Sequence, residues 1–148
     1  MVVLAPNGKM GKVTTTITVT NRVDEILAAR GFIAPDEVRS LTLKDVLVDT
    51  GASRLCLPAD AIAQLGIPLQ GEVDVKLAVG VRNVRVFRDL NLQVEGREGT
   101  FNCVELPAGE SPLLGLIPLE DLGLEPDLQN QRLRVLPLEG KDTYLMVM

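Results

Sequence analysis

The sequence predicts a mostly β fold with two or three short helices, and three observations carry that prediction. Lys12 to Thr20 alternates strictly, with Val13, Thr15, Ile17 and Val19 on one face and Thr14, Thr16, Thr18 and Thr20 on the other. Glu72 to Val94 holds two alternating runs joined by a short, glycine-containing connection. Val46-Leu47-Val48 is continuously apolar, as in a strand buried on both faces. The core must be built from Val, Leu and Ile, because the 148 residues include three Phe, one Tyr and no Trp.

Taken in order, Met1 to Gly11 contains the turn signal Pro6-Asn7-Gly8 and is expected to be an N-terminal arm. The strand from Lys12 to Thr20 has one wet, threonine-rich face. Asn21 then offers an N-cap with Asp24 three residues on. Val23, Ile26 and Leu27 make an inward stripe, and Gly31 stops the helix after Arg30. Ala34-Pro35-Asp36 marks a turn. From Val38 a strand runs through Leu41 and Leu43 to Val48, and Leu55-Cys56-Leu57 forms another. Pro58 to Leu65 reads as a short helix with Ala61, Ile62 and Leu65 inward, closed by Gly66.

Val73, Val75, Leu77 and Val79 share one face of the first run of the hairpin. Gly80 to Asn83 connects it to Val84, Val86, Leu90, Leu92 and Val94, a second face that Arg88 interrupts. Glu95 to Gly99 is a turn, Thr100 to Leu106 a strand and Pro107 to Pro112 a loop. Pro118 suits the first turn of a further helix and Gly123 its C′ position. Asn130 lies in a polar turn, Arg132 to Leu136 is a strand, and Thr143 to Met148 is a last one. The sum is one domain over 1–148 with about seven to nine strands. Residues 1–11 form its arm, and 138–148 a linker and terminal strand.

Composition narrows the function. The chain is acidic, with a net charge of −5, and its basic residues are scattered without aromatic interleaving, so a nucleic-acid partner is not expected. No apolar run approaches the ~20 residues of a membrane span, and the first residues lack the charged flank of a signal peptide. The expectation is a soluble, cytoplasmic protein with no membrane partner. Cys56 and Cys103 have no metal-ligand spacing, and Cys56 sits in an apolar run, as a buried free thiol would. The chain contains no histidine. Ser-His and Cys-His catalysis and histidine-ligated metals are therefore excluded, and carboxylates are left as the natural acid–base groups. Neither a cofactor nor a metal is expected.

One carboxylate stands out. Asp49 ends the apolar strand and is followed by Thr50, Gly51, Ala52 and Ser53. A carboxylate there is costly unless it is hydrogen-bonded, paired or used in chemistry. Asp45, Asp60 and Asp121 read instead as solvated positions. A second segment resembles the first. Asp49-Thr50-Gly51 leads to a Pro-started helix ending Leu65-Gly66-Ile67-Pro68. Leu113-Leu114-Gly115 leads to one ending Leu122-Gly123-Leu124, with Pro126 soon after. Where the first copy has Asp49, the second has leucine.

Asp49-Thr50-Gly51-Ala52-Ser53, preceded by Val46-Leu47-Val48, resembles the active-site motif of retropepsin-type aspartic peptidases. Leu113-Leu114-Gly115 with its short helix resembles that family's second signature, and the intervening hairpin stands where the family has its flap. The pattern covers nearly all of Lys12 to Leu136 in the right order and resembles the small retropepsin-like proteins encoded in bacterial genomes more than the viral enzymes. The resemblance implies a closed or partly closed retropepsin-type β-barrel, one lobe per chain, in an aspartic endopeptidase active as a homodimer.

It also implies roles. Asp49 would be the catalytic residue, supplied once by each chain, and Thr50 would carry a hydroxyl bond across the dimer. Gly51, Ala52 and Ser53 would complete the loop, and Val79, Gly80, Val81, Arg82 and Asn83 would form the flap tip over an extended polypeptide substrate. Val2 to Leu4 and Tyr144 to Met148 would build an intersubunit sheet. The chain departs from the viral pattern in three places. Gly80 is the lone glycine at the flap tip, Tyr144 lies too late to be a flap tyrosine, and Asn21 to Ser40 is longer than its viral counterpart. Two other readings stay open: a binding or assembly module on the same fold, and a small-ligand β-barrel, which leaves the Leu113-Leu114-Gly115 repeat unexplained.

Overall fold

The computed structural model describes residues 12–137. The expected N-terminal arm, terminal strand and intersubunit sheet of 1–11 and 138–148 lie outside the described residues. Nine strands, three short α-helices and one 3-10 turn are present among those described. Strands β1 (Thr14–Asn21), β2 (Ser40–Val48), β3 (Leu55–Pro58), β4 (Leu69–Leu77), β5 (Gly80–Val94), β6 (Arg97–Leu106) and β7 (Leu113–Leu114) form one sheet. Its order is β1-β2-β7-β3-β6-β5-β4. Because β1 also pairs with β5, six strands make a ring, and β4 hangs outside it on β5. The mostly β expectation holds, with the sheet turned back on itself.

The core fills this ring. Ile17, Val19, Val46, Leu55, Leu57, Leu90, Leu92 and Leu114 are fully buried, and Leu65 and Leu119 bring in two of the helices. Each contributes about 1.5–3 kcal/mol relative to exposure. The wet face of β1 is laced to β2 through hydroxyls, with Thr20 Oγ1 lying 2.9 Å from Ser40 Oγ.

Two bulges turn the strands. Asp45, at φ 57°, lies in the irregularity where two residues of β2 oppose one of β1, and it is exposed as expected. Asp89, at φ 59°, does the same for β5 against β6, next to Arg88. That bulge divides β5 into a half that pairs with β4 and a half that pairs with β1.

Helix α2 (Ala59–Leu65) buries Ala61, Ile62 and Leu65 as the spacing predicts, and Gly66 ends it in the left-handed region. Helix α3 (Leu116–Leu122) ends likewise on Gly123. In both, an arginine lies over the closing glycine: Arg39 over Gly66 and Arg97 over Gly123. The Arg97 guanidinium donates to the carbonyls of Leu122 (2.8 Å), Gly123 (3.0 Å) and Leu136, satisfying the end of α3.

Helix α1 (Arg22–Ala29) corrects the predicted stripe. Asn21 caps it, accepting from the Asp24 amide at 2.9 Å, but Val23 and Ile26 are 40% and 42% exposed. Asp24 is its buried residue. The Asp24 carboxylate accepts from the Arg39 amide (3.0 Å), Nε (2.8 Å) and Nη2 (3.0 Å), and Asn21 Nδ2 donates to the Leu65 carbonyl at 2.8 Å. A charge-assisted fork outweighs the hydropathy of Val23 and Ile26 in setting which side of so short a helix faces inward. The network ties the long Asn21–Ser40 segment to the end of α2.

Three further boundaries shift. The β4–β5 turn is the two residues Ala78 and Val79, with Leu77 opposite Gly80, so Val81, Arg82 and Asn83 belong to β5 and not to a connection. The β5–β6 turn is Glu95-Gly96 alone, both at positive φ, and Arg97 to Gly99 are already strand. Leu124–Asp127 forms an unpredicted strand β8, which pairs with β9 (Arg132–Val135) in a separate hairpin. No helix among the described residues is long and apolar enough to cross a membrane.

Candidate active site

Asp49 follows directly on β2, whose Val46 and Val48 are buried, and is itself only 5% exposed. The main chain around it is tied on every side. The Asp49 amide donates to the Leu114 carbonyl at 2.9 Å, and the Ala52 amide donates back to the Asp49 carbonyl at 3.0 Å. The side chain is oriented too, since its Oδ1 accepts from the Gly51 amide at 2.9 Å. Such a bond to a backbone N–H fixes the rotamer of the carboxylate.

The Leu113-Leu114-Gly115 segment supports the Asp49 loop. β7 inserts between the two strands that flank the motif: Leu114 runs parallel to Val48, and Leu113 lies antiparallel to Cys56. Beyond it, the Leu116 and Ile117 amides donate to the carbonyls of Ala52 (2.8 Å) and Ser53 (2.9 Å). Two N–H groups at the start of α3, which have no partner within the helix, are thereby satisfied by the motif loop. Gly115 makes this approach possible. A Cβ there would stand 2.7 Å from the Arg54 nitrogen and 2.8 Å from the Ala52 oxygen, closer than real contacts allow. Its φ of −90° is open to any residue, so the requirement is one of space, not of conformation.

Gly51, Ala52, Ser53 and Arg54 line one wall of a cleft of about 480 Å³. The opposite wall is the hairpin. Its cross-strand pairs Val73–Val84, Val75–Arg82 and Leu77–Gly80 share a face, and Val73, Val75, Leu77, Arg82, Val84 and Val86 all border the cleft. Of the expected flap residues, Arg82 is therefore on the cleft and shares its face with Gly80. Val81 and Asn83 alternate to the outer face, where Asn83 Nδ2 donates to Asp74 Oδ1 at 3.1 Å. Val79 is at the tip and 94% exposed. Thr50, exposed, opens instead onto a separate cavity of about 430 Å³ beside Leu116, Leu119 and Leu136.

Cys56 borders the cleft as a buried free thiol, and Cys103 is buried beside it on β6. Burial, with the nearby Asp49 charge adding to it, pushes the Cys56 thiol up to about 11. Burial pushes Cys103 to about 12, with Cys56 and Glu105 adding to it. The expectation of free, buried cysteines holds. Cys56 and Arg54 went unremarked as cleft residues in sequence, although Cys56 is only three residues past Ser53. No group of three or more Cys, Asp or Glu side chains among the described residues is arranged to hold a metal ion.

No protein-family model matches this chain, and neither does any curated protein. Its function has to be argued from the fold and the site.

Proposed function

We propose that this chain is one half of an aspartic endopeptidase of the retropepsin type, with a site completed by Asp49 of a second copy. One observation carries the reading. A nearly buried aspartate, oriented by the Gly51 amide and clamped by the second signature, adjoins a loop that forms one wall of an apolar cleft under a hairpin. Around that loop β7 lies between β2 and β3, which sets Leu113-Leu114-Gly115 beside the Asp49 motif. The position corresponding to Asp49 in the second copy of the repeat is the half-buried Leu113. A single chain thus brings one carboxylate to the position where the chemistry uses two.

Two carboxylates brought together by dimerisation cannot both ionise cheaply, so they share a proton. The ionised one takes a proton from a water held between them, and the protonated one polarises the scissile carbonyl and stabilises the oxyanion. The chain's own residues suffice for this, without histidine or a covalent intermediate. Thr50, exposed next to Asp49, supplies the hydroxyl that locks one motif loop to the other. The β4–β5 hairpin covers an extended peptide, which is held by main-chain hydrogen bonds and apolar pockets and shielded from water.

The test is cleavage of a peptide library by the full chain and by Asp49→Asn, with sedimentation of both. Cleavage at mildly acidic pH that falls by about 10²–10⁴-fold in the variant, while fold and dimer persist, is the expected outcome. Cleavage by a protein that sediments only as monomer, or undiminished cleavage by the variant, would sink the reading. Equal performance of both proteins as binders, with no cleavage by either, would favour a binding module on this fold.

A further inference from the structure

The inner face of the β4–β5 hairpin is apolar at Val73, Val75, Leu77, Val84 and Val86 and is broken by one charge, Arg82. The register puts Arg82 opposite Val75, on the cleft side and between valines, although its neighbours Val81 and Asn83 point outward. Arg54 stands on the other wall, one residue past the motif, and Lys76 contributes to the same lining. The single carboxylate on that lining is Glu105. It is already held by Arg85, through Nε at 2.8 Å and Nη2 at 2.6 Å. The ion pairs among the described residues include neither Arg54 nor Arg82. A chain of net charge −5 therefore borders its cleft with two arginines, Arg54 and Arg82, against one engaged carboxylate.

Arg82 is exposed on this otherwise apolar face, so its guanidinium is accessible to a ligand in the cleft. The guanidinium fork matches a carboxylate in two parallel hydrogen bonds, and partial exclusion of water under a hairpin strengthens the attraction. The geometry points to Arg82 as a specificity residue: the cleft takes an extended peptide bearing an acidic side chain, which pairs with the Arg82 guanidinium while Arg54 reinforces the selection from the opposite wall. This rests on the peptide-cleft reading above and names its substrate class.

Binding to the full chain carrying Asp49→Asn tests it without requiring turnover. The probes are two fluorescein-labelled pools of apolar octapeptides, identical except that one carries Glu and the other Gln at a scanned position. Anisotropy is expected to show the Glu pool binding about tenfold tighter at one position, with the preference shrinking as salt is raised. Adding Arg82→Gln should abolish the preference, Arg82→Lys should restore part of it, and Arg82→Glu should reverse it in favour of the Gln pool. Circular dichroism confirms that each variant is folded. Equal binding of the two pools, or a preference that survives in Arg82→Gln, overturns the assignment and leaves the peptidase reading standing. Binding of neither pool sinks the peptide cleft, and the assignment with it.

Discussion

Gly115 lies flush against the main chain of Arg54, with no room between them for a methyl group. This contact joins the Leu113-Leu114-Gly115 segment to the Asp49 loop and seats the α3 amides on the Ala52 and Ser53 carbonyls. Backbone meets backbone here, so no flexible side chain can yield. Gly115→Ala is expected to cost about 2–3 kcal/mol by overpacking. The denaturation midpoint in urea should fall accordingly, and any cleavage activity with it. An unchanged midpoint would show that the loop relaxes freely.

Thr50 is exposed and borders its own cavity, so its hydroxyl has little to contribute to the single chain. Thr50→Val should leave the unfolding of the monomer within about 0.5 kcal/mol of the parent. In the proposed dimer, association should weaken by about tenfold or more, because a symmetric interface would lose the hydroxyl bond twice. Sedimentation equilibrium reads the second effect. A monomer that loses stability while the dimer constant stays put would assign the hydroxyl an internal role.

The Asp24–Arg39 pair makes part of the stability depend on pH. The Arg39 side-chain hydrogen bonds outweigh burial and hold the Asp24 carboxyl below the 3.8 of an ordinary aspartate. A lowered folded pKa means a contribution that is fully present above the unfolded value and disappears as pH falls through the folded one. The melting temperature of Asp24→Asn should therefore lie below the parent's at neutral pH, and the gap should close below about pH 4. A gap that stays constant from pH 7 to pH 2 would trace the loss to packing alone.

Both thiols are buried and raised, to about 11 for Cys56 and about 12 for Cys103, and the thiolate is the reactive form. At pH 7.5 the native protein should react with iodoacetamide far more slowly than free cysteine does, and both residues should label once it is unfolded. Mass spectrometry counts the adducts. Rapid single labelling of the native chain at Cys56 would mean that the cleft is open enough to solvate that sulfur.

Much of the fold was legible because it is local. The alternation from Lys12 to Thr20, the inward set Ala61, Ile62 and Leu65, and the closing glycines Gly66 and Gly123 each follow from periods or caps within a few residues. The failures share a cause. Val23 and Ile26 looked like a core stripe because nothing near them in sequence announces that Arg39 will hold Asp24 inward. The hairpin turn was read at Gly80 to Asn83 because glycine attracts the turn assignment, whereas pairing of Leu77 with Gly80 moves it to Ala78-Val79. β8 was missed because Pro126 disguised a short edge strand.

At the candidate site, the chain's order alone singled out Asp49-Thr50-Gly51 and Leu113-Leu114-Gly115, because a carboxylate closing an apolar strand is conspicuous wherever it occurs. Only the tertiary structure decided that the second segment clamps the first, that Thr50 and Gly51 open onto different cavities, and that Arg82 and Arg54 border the same cleft. Those relationships depend on pairings between residues far apart in the chain. A strand's own period says which residues share a face, but not what that face will meet.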